Sequence, residues 1–432
     1  MLRRLYATNY RCLVNFEFRP NAKQLIIGRN GTGKTSAFDV LAMLRDIAAR
    51  GEPCGKYLGG RSRTRWQDVG EQRFELDVTG NGGEYRYALV VDESGGSPYG
   101  QHTYGLSTQG LGVGDALQPH AKKERKMVAL SSLAGPRPRV KQETLHFDGK
   151  PVFRFEEGTA RLFTNRQKSE ASVEFPLDWH RSGLATVEAT SHRRDNAQFT
   201  WFKLWLDRLL QVQINPWAMS ARSEGEDRYP QKDLGNFANW YRHLRLESGD
   251  AVFEAMKDIR EAVPGFEALD AKEAGLDVRV LQATLVGAEL AFHDLSEGQR
   301  ALIALYVLLR SAVGEDRLLL IDEPDNFIAL AEIQPWLLKL LDRVDETNGQ
   351  VMLVSHHPEL LDQLAAQGGV LFERIGGGET RVRPFEPPAD SGLKASEIIA
   401  RGWEVENMYG LGPDTISQMP KGRGALRKRK RA

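Results

Sequence analysis

Apolar and polar positions change their spacing several times along this chain, and each change marks an element. Leu25-Ile26-Ile27 is a short unbroken apolar run that stops at Gly28, and from Lys34 the apolar positions Leu41, Met43 and Leu44 fit a helix, so the opening reads strand, turn, strand, loop, helix. Phe74, Leu76 and Val78 then alternate with Arg73, Glu75 and Asp77. Tyr85, Tyr87 and Leu89 resume the alternation after Asn81-Gly82-Gly83, which predicts two antiparallel strands with one wet face. Residues 93–120 are rich in Gly, Ser and Gln and read as a long mobile loop; further strands are expected between Glu143 and Phe155.

From about Asn196 the spacing turns helical, through Trp201, Phe202, Trp205, Leu206, Leu209 and Leu210, and again through Val252, Phe253, Met256 and Ile259. The aromatic stripe could be taken for a nucleobase platform, but helical spacing already accounts for it as packing core. Pro264-Gly265 stops the second helix, strands return between Val278 and Phe292, and no heptad persists. The final third predicts a helix over 297–309, a buried strand Leu318-Leu319-Leu320-Ile321 leading to Asp322, a helix to about Val344, and a second buried strand from Val351 to Val354. Strand, helix and strand joined by short links imply a parallel sheet. Beyond residue 388 the regularity fades, and the chain ends in Arg427-Lys428-Arg429-Lys430-Arg431.

Composition narrows the class. The 432 residues are 41% hydrophobic and 27% charged, an ordinary globular balance, with zero formal net charge. No global field draws the protein to nucleic acid or membrane, so such binding would need a local patch such as Lys122, Lys123, Arg125, Lys126, Arg137, Arg139 and Lys141, or the basic tail. Cys12 and Cys54 form no metal-ligand cluster and read as reduced core thiols. The basic start lacks the apolar run of a signal peptide, and no apolar stretch is long enough to span a bilayer, so a reducing cytoplasm is expected.

Four short segments carry chemistry. Gly28-Arg29-Asn30-Gly31-Thr32-Gly33-Lys34-Thr35 fits the phosphate-loop pattern between a strand and a helix, the context that lets backbone N–H groups converge on phosphate oxygens. Asn30, Gly31, Gly33, Lys34, Thr35 and Ser36 are the expected nucleotide-binding residues, with Lys34 on the β- and γ-phosphates and the Thr35 hydroxyl on Mg²⁺. Asp322, at the end of an apolar strand, is expected to hold Mg²⁺ directly or through water, and Glu323 to serve as general base for water; without the phosphate loop the pair would read as an acidic turn. Leu295-Ser296-Glu297-Gly298-Gln299-Arg300 opens a helix whose free N–H groups suit a γ-phosphate, with Ser296, Gly298 and Gln299 as contacts. Ser296 and Gln299 also fit a capping box, and the two roles are compatible. Ser355-His356-His357-Pro358 follows the second buried strand; His356 is favoured to meet the γ-phosphate, His357 to pack or face solvent.

Together, Gly28 to Thr35, Leu295 to Gln299, Leu320 to Pro324 and Ser355-His356 resemble the heads of the ABC ATPase class. Within it they resemble the RecF/SMC/OLD-like branch of bacterial AAA family ATPases, as do the opening Ala7-Thr8-Asn9-Tyr10-Arg11 and Asp322-Glu323-Pro324-Asp325-Asn326. The resemblance covers both ends of the chain; the middle matches only in outline. It implies an α/β fold, two-lobed, with a mixed sheet, an antiparallel β lobe and a helical insertion. The expected division is an N-terminal ATPase lobe at 1–180, the helical insertion at 181–275, a C-terminal ATPase lobe at 276–388 and an irregular basic tail at 389–432. It also implies ATP and Mg²⁺ as ligands, and an ATP-dependent head-to-tail dimer in which one subunit's signature completes the other's phosphate site. A separately encoded effector, often in antiphage defence, is the implied partner. Two features depart from the pattern. The glutamine expected between phosphate loop and signature could be Gln67 or Gln213, and no acidic cluster of a TOPRIM nuclease follows His356. The same fold also serves DNA repair ATPases that clamp duplex DNA through basic patches, transporter ATP-binding subunits, and nucleotide-binding scaffolds without turnover. About 260 residues between Thr35 and Leu295 argue against the transporter, and Glu323 against the scaffold.

Overall fold

A computed structural model describes residues 1–93, 137–163, 173–187, 197–374, 376–387 and 392–401. The Gly-rich stretch at 93–120, the cluster Lys122 to Lys126 and the C-terminal basic run fall outside these residues, except for Glu93 of the full span named above.

The sheet that carries the chemistry forms from the most apolar runs. β3 (Lys23–Ile27), β10 (Leu210–Gln213), β15 (Leu318–Asp322), β16 (Gln350–Val354), β17 (Val370–Arg374) and β18 (Thr380–Pro384) pair in the order β10-β15-β16-β3-β17-β18. The first five are parallel and β18 returns antiparallel on the edge. β15 and β16 are buried at every position, which is why their sequences run apolar without alternation. Their alternate residues nevertheless serve two different cores. Leu319, Ile321, Val351 and Leu353 point to one face, where they meet α6 (Glu297–Ala312), α7 (Leu330–Thr347) and α8 (Pro358–Gly368). Leu318, Leu320, Met352 and Val354 point to the other, onto α1 (Lys34–Leu44) and α3 (Ala197–Asp207).

That second core is closed by an eight-stranded antiparallel sheet. It comprises β1 (Leu2–Thr8), β2 (Phe16–Phe18), β4 (Glu71–Gly80), β5 (Gly83–Asp92), β6 (Arg139–Phe147), β7 (Lys150–Glu156), β8 (Thr159–Leu162) and β9 (Val173–Pro176), in the order β2-β1-β4-β5-β6-β7-β8-β9. The alternation of β4 and β5 sends Phe74, Leu76, Val78, Tyr85, Tyr87 and Leu89 into the core. Asn81 and Gly82 turn the hairpin at φ 49° and 80°. Residues from the helical aromatic stripe pack on this sheet: Trp201 stacks on Tyr85 with centroids 4.7 Å apart, and Phe202 lies 5.4 Å from Tyr87. The architecture is thus mixed α/β, as expected.

Residues 181–275, expected as helical, contain α2 (Gly183–Thr186), α3, α4 (Phe237–Glu247) and α5 (Gly249–Ala262), but they also supply strands. The helical spacing runs out before Leu210, which opens β10 and joins the main sheet beside β15. β11 (Arg222–Ser223), β12 (Phe266–Glu273), β13 (Arg279–Leu285) and β14 (Ala288–Ala291) form a separate small antiparallel sheet. Short β10 is apolar at alternate positions, so a helix wheel and a strand fit Leu209 to Val212 equally well until a neighbouring strand is known. Two carboxylates, Asp258 buried and Asp39 half-buried, stitch these segments together. Asp258 on α5 receives both Arg310 of α6, at 2.6 and 3.0 Å, and Lys339 of α7, at 2.7 Å. Asp39 on α1 receives Arg11 at 2.6 Å, Lys232 at 2.8 Å and Gln211 of β10 at 3.1 Å.

Candidate functional site

Parallel pairing brings the C-terminal ends of β10, β15, β16 and β3 to one edge of the sheet. Gln213 pairs with Asp322, Asp322 with Val354, and Val354 with Ile26, so one row across four strands sets out the site. Open α/β sheets offer their ligand crevice at this edge.

The phosphate loop follows β3 directly. Gly28 has φ 150°, and a Cβ there would sit 2.4 Å from the carbonyl oxygen of Phe372 on β17. Gly33, at φ 101°, would meet Thr380 Oγ1 at 2.5 Å. Only glycine lets β17 and β18 close on the back of the loop in this way. Around Gly31 the space is open. The front of the loop faces a cavity of about 560 Å³. Asn30, Gly31, Gly33, Lys34, Thr35 and Ser36 line it on one side, Asp322 and Glu323 on the other.

The Lys34 ammonium donates to the carbonyls of Gly28 and Arg29 and so lies within the curl of its own loop. Burial lowers its pKa, opposed by the charges of Asp322 and Glu323. Thr35 Oγ1 donates to Asp322 Oδ2 at 3.1 Å across 287 positions of sequence. Burial raises the pKa of Asp322 and the neighbouring Glu323 adds to this, against the Thr35 hydrogen bond and the charges of Lys232 and Lys34. A carboxylate of this kind, short of positive charge and touching a hydroxyl, is the donor pair that fits Mg²⁺, which takes few protein oxygens and keeps the rest of its shell for water and phosphate. The loop's open front and the buried ammonium fit a nucleoside triphosphate.

Glu323 follows in the left-handed region, at φ 52°. Its N–H donates to Val354 O at 2.8 Å and its carboxylate accepts from Asn326 at 2.7 Å. The β15 and β16 ends are therefore tied, and the Glu323 side chain is turned out of the strand into the cavity. Ser355, fully buried, donates to Asp325 at 2.6 Å and accepts from the His357 N–H at 2.9 Å. His357 caps α8 by accepting from Glu359 N–H at 3.2 Å. His356 does not line the cavity but lies in the field of the site: desolvation lowers its pKa and Lys34 lowers it further, against the charges of Glu323, Asp325 and Asp322.

Ser296, Gly298 and Gln299 are not brought into this cavity. They occupy the start of α6, where Ser296 and Gln299 form a reciprocal capping box with bonds of 3.2 and 3.0 Å. A Cβ on Gly298 would come within 3.0 Å of Phe327 O, so the loop after Glu323 lies against this helix end. Arg300 anchors the other flank by donating to Pro216 O at 2.7 Å.

Of the two glutamines the sequence left open, one reaches the site, and several further lining residues had no assigned role in the sequence reading. Gln213 lines the cavity; Gln67 does not. No local pattern separates two glutamines, whereas β10 pairing does. Arg11, Arg61, Arg63, Arg65, Trp66 and Arg374 complete the rim. The run Arg61-Ser62-Arg63-Thr64-Arg65-Trp66 offered a signal as an alternating basic stretch close to the phosphate loop; Arg374 offered none.

An 79-residue stretch, 18% of this chain, is 37% identical to the ABC transporter ATP-binding protein ARB1 of Saccharomyces cerevisiae. It corresponds to only 12% of that protein's length. Among solved structures, the SMC head domain from Thermotoga maritima is similar over 89% of this chain and 99% of its own, at 12% identity and a TM-score of 0.41. An SmcHead bound to the C-winged helix domain of ScpA is similar over 89% and 98%, at 11% identity and a TM-score of 0.48. The family described as "AAA domain, putative AbiEii toxin, Type IV TA system" matches residues 138–362, a span that starts after the phosphate loop and contains Ser296, Asp322, Glu323 and His356. That span is more than half of the 432 residues, and the chain belongs to this AAA-domain family.

Proposed function

We propose that this protein is an ATP-binding and ATP-hydrolysing switch. Lys34, Thr35, Asp322 and Glu323 converging on one cavity is the observation that carries this reading. Lys34 and the N–H groups of Gly31 to Ser36 would hold the phosphates, and Thr35 and Asp322 would hold Mg²⁺, whose charge offsets that developing on the phosphates. Glu323 is the base that takes a proton from water, and His356 positions that water by hydrogen bonding. Gln213, opposite Asp322 in the sheet, is the glutamine that joins the site to the segment after β10.

The signature residues act in trans in this reading. Ser296 and Gly298 lie outside the chain's own cavity, with the backbone of the exposed Phe327 against Gly298; Leu330 and Trp217 are further exposed apolar side chains. A second copy placed head to tail covers these and sets its arginine-rich rim against Asp294 and Glu297. The family description, with its toxin of a type IV toxin–antitoxin system, supports a role as the ATPase or sensor half of a defence or toxin–antitoxin pair with a separate effector.

The competing reading, a DNA clamp, loses part of its proposed contact surface. Lys141 is paired with Glu71 at 2.6 Å and Arg139 with Asp92 at 3.5 Å, both within the antiparallel sheet. Steady-state phosphate release with ATP and Mg²⁺ tests the main reading. Hydrolysis that rises more than linearly with protein concentration is expected, and a preparation that binds ATP without any turnover would refute it.

A further inference from the structure

Beyond the phosphate end of the cavity stands a residue that neither packing nor the phosphate chemistry uses. Trp66 is 50% exposed, whereas Trp205 and Trp336 are almost fully buried. It is the one aromatic side chain among the described residues lining the cavity. Its indole N–H makes no hydrogen bond among the described residues, and its ring meets the guanidinium of Arg374. The cavity walls at this end are otherwise arginine: Arg61, Arg63, Arg65 and Arg374.

The backbone beneath Trp66 is held firmly. Asn9, 1% exposed and left-handed at φ 59°, accepts from Thr64 N–H at 3.1 Å and donates to the carbonyls of Val69 and Glu71 at 2.7 and 2.8 Å. Arg11 N–H donates to Ser62 O at 2.6 Å. Four contacts thus clamp residues 62–71 to the turn after β1. Arg374 connects this clamp to the phosphate loop. Its guanidinium lies 5.7 Å from the Trp66 ring centroid, and its Nη1 donates to Gly31 O at 3.0 Å.

We infer that Trp66 is a stacking platform for the purine base of a nucleotide whose phosphates the loop holds. The inference rests on the nucleotide-binding reading above and adds the base subsite to it. An exposed indole on a rigid backbone offers a large flat face at little entropic cost, and stacking needs no matching hydrogen-bond pattern. Arginine side chains present donors and no acceptors. They can meet the ring acceptors that adenine and guanine share, but cannot receive adenine's amino group. The subsite therefore selects purines over pyrimidines and separates ATP from GTP poorly.

Binding of ATP, GTP, CTP and inorganic tripolyphosphate to the full chain tests this by calorimetry. GTP should bind within about fivefold of ATP, and CTP about tenfold more weakly. Trp66→Ala should weaken ATP and GTP by about tenfold or more and leave tripolyphosphate unchanged; Trp66→Phe should restore most of the loss. If Trp66→Ala weakens ATP and tripolyphosphate by the same factor, Trp66 only supports Arg374 and the loop, and the platform is overturned. A wild-type chain that binds tripolyphosphate as tightly as ATP overturns the platform alone, whereas one that binds neither overturns the nucleotide reading with it.

Discussion

Lys34 sits where burial and charge oppose each other: desolvation disfavours its ammonium, and Asp322 and Glu323 favour it. Removing that charge takes away the cation seated within the curl of the loop itself, which the arginines at the rim and the loop's N–H groups do not replace. Lys34→Ala is expected to abolish measurable ATP binding, read by equilibrium binding of labelled nucleotide. Glu323→Gln keeps the shape of the side chain and its hydrogen bond with Asn326 but loses the proton acceptor. It should bind ATP normally and lose about a hundredfold or more in kcat; normal turnover in this variant would remove Glu323 from the base role. Gly28 tests the frame behind both. Alanine there meets Phe372 O at 2.4 Å in a backbone conformation L-residues avoid, so Gly28→Ala should cost both stability and nucleotide affinity.

Elements around the site are joined by charge as well as by packing. Burial alone would raise the pKa of Asp258, but hydrogen bonds from Arg310 and Lys339 outweigh it and hold the carboxyl below its ordinary value of 3.8. A depressed carboxylate stabilises the fold above its unfolded pKa and loses that contribution as pH falls through the folded one. Asp258→Asn is expected to cost about 2 kcal/mol near neutral pH, since the partners are partly exposed and partly screened. Urea denaturation at several pH values checks this: the gap to wild type should hold steady from neutral pH down to about pH 5 and narrow only below about pH 4. A gap that widens in acid would mean that Asp258 is not the charged partner. In β15, Leu320 packs into the core shared with α1 and the eight-stranded sheet. Leu320→Ala should cost about 3 kcal/mol by the cavity it leaves, measured in the same titration.

For the whole molecule the decisive question is whether two chains share a site. Ser296→Arg and Lys34→Ala each remove one half of the proposed composite. Mixed after subunit exchange, they should recover up to about a quarter of wild-type hydrolysis, because one interface in a mixed dimer joins an intact loop to an intact signature. Demonstrated exchange with no recovered activity would refute the two-chain site. The described residues hold no group of three or more His, Cys, Asp or Glu suited to a metal ion, and no helix among them is long and apolar enough to cross a membrane. On the proposed reading of the chain as an ATPase switch, purified chain with ATP, Mg²⁺ or Mn²⁺ and plasmid DNA is expected to consume ATP and leave the DNA intact. Metal-dependent cutting that persists in Lys34→Ala and copurifies with the chain would place a nuclease site in the middle region.

Local chemistry made the phosphate loop, the Asp322-Glu323 pair and the α6 capping box legible in the sequence, because a glycine-rich turn, a carboxylate ending an apolar run and a Ser-x-x-Gln helix start each satisfy a requirement within a few residues. Alternation likewise marked β4 and β5, whose wet face is written into every second position. Strand order was not legible, since pairing energy depends on residues hundreds of positions away. Thus Leu210 to Gln213 fitted a helix end until β15 lay beside it, and Gln213 could be told from Gln67 only by its register opposite Asp322. The arginine and tryptophan rim has the same origin. Trp66 and Arg374 are 308 positions apart, and the folding of β17 against the phosphate loop, which glycine at position 28 permits, is what sets one over the other.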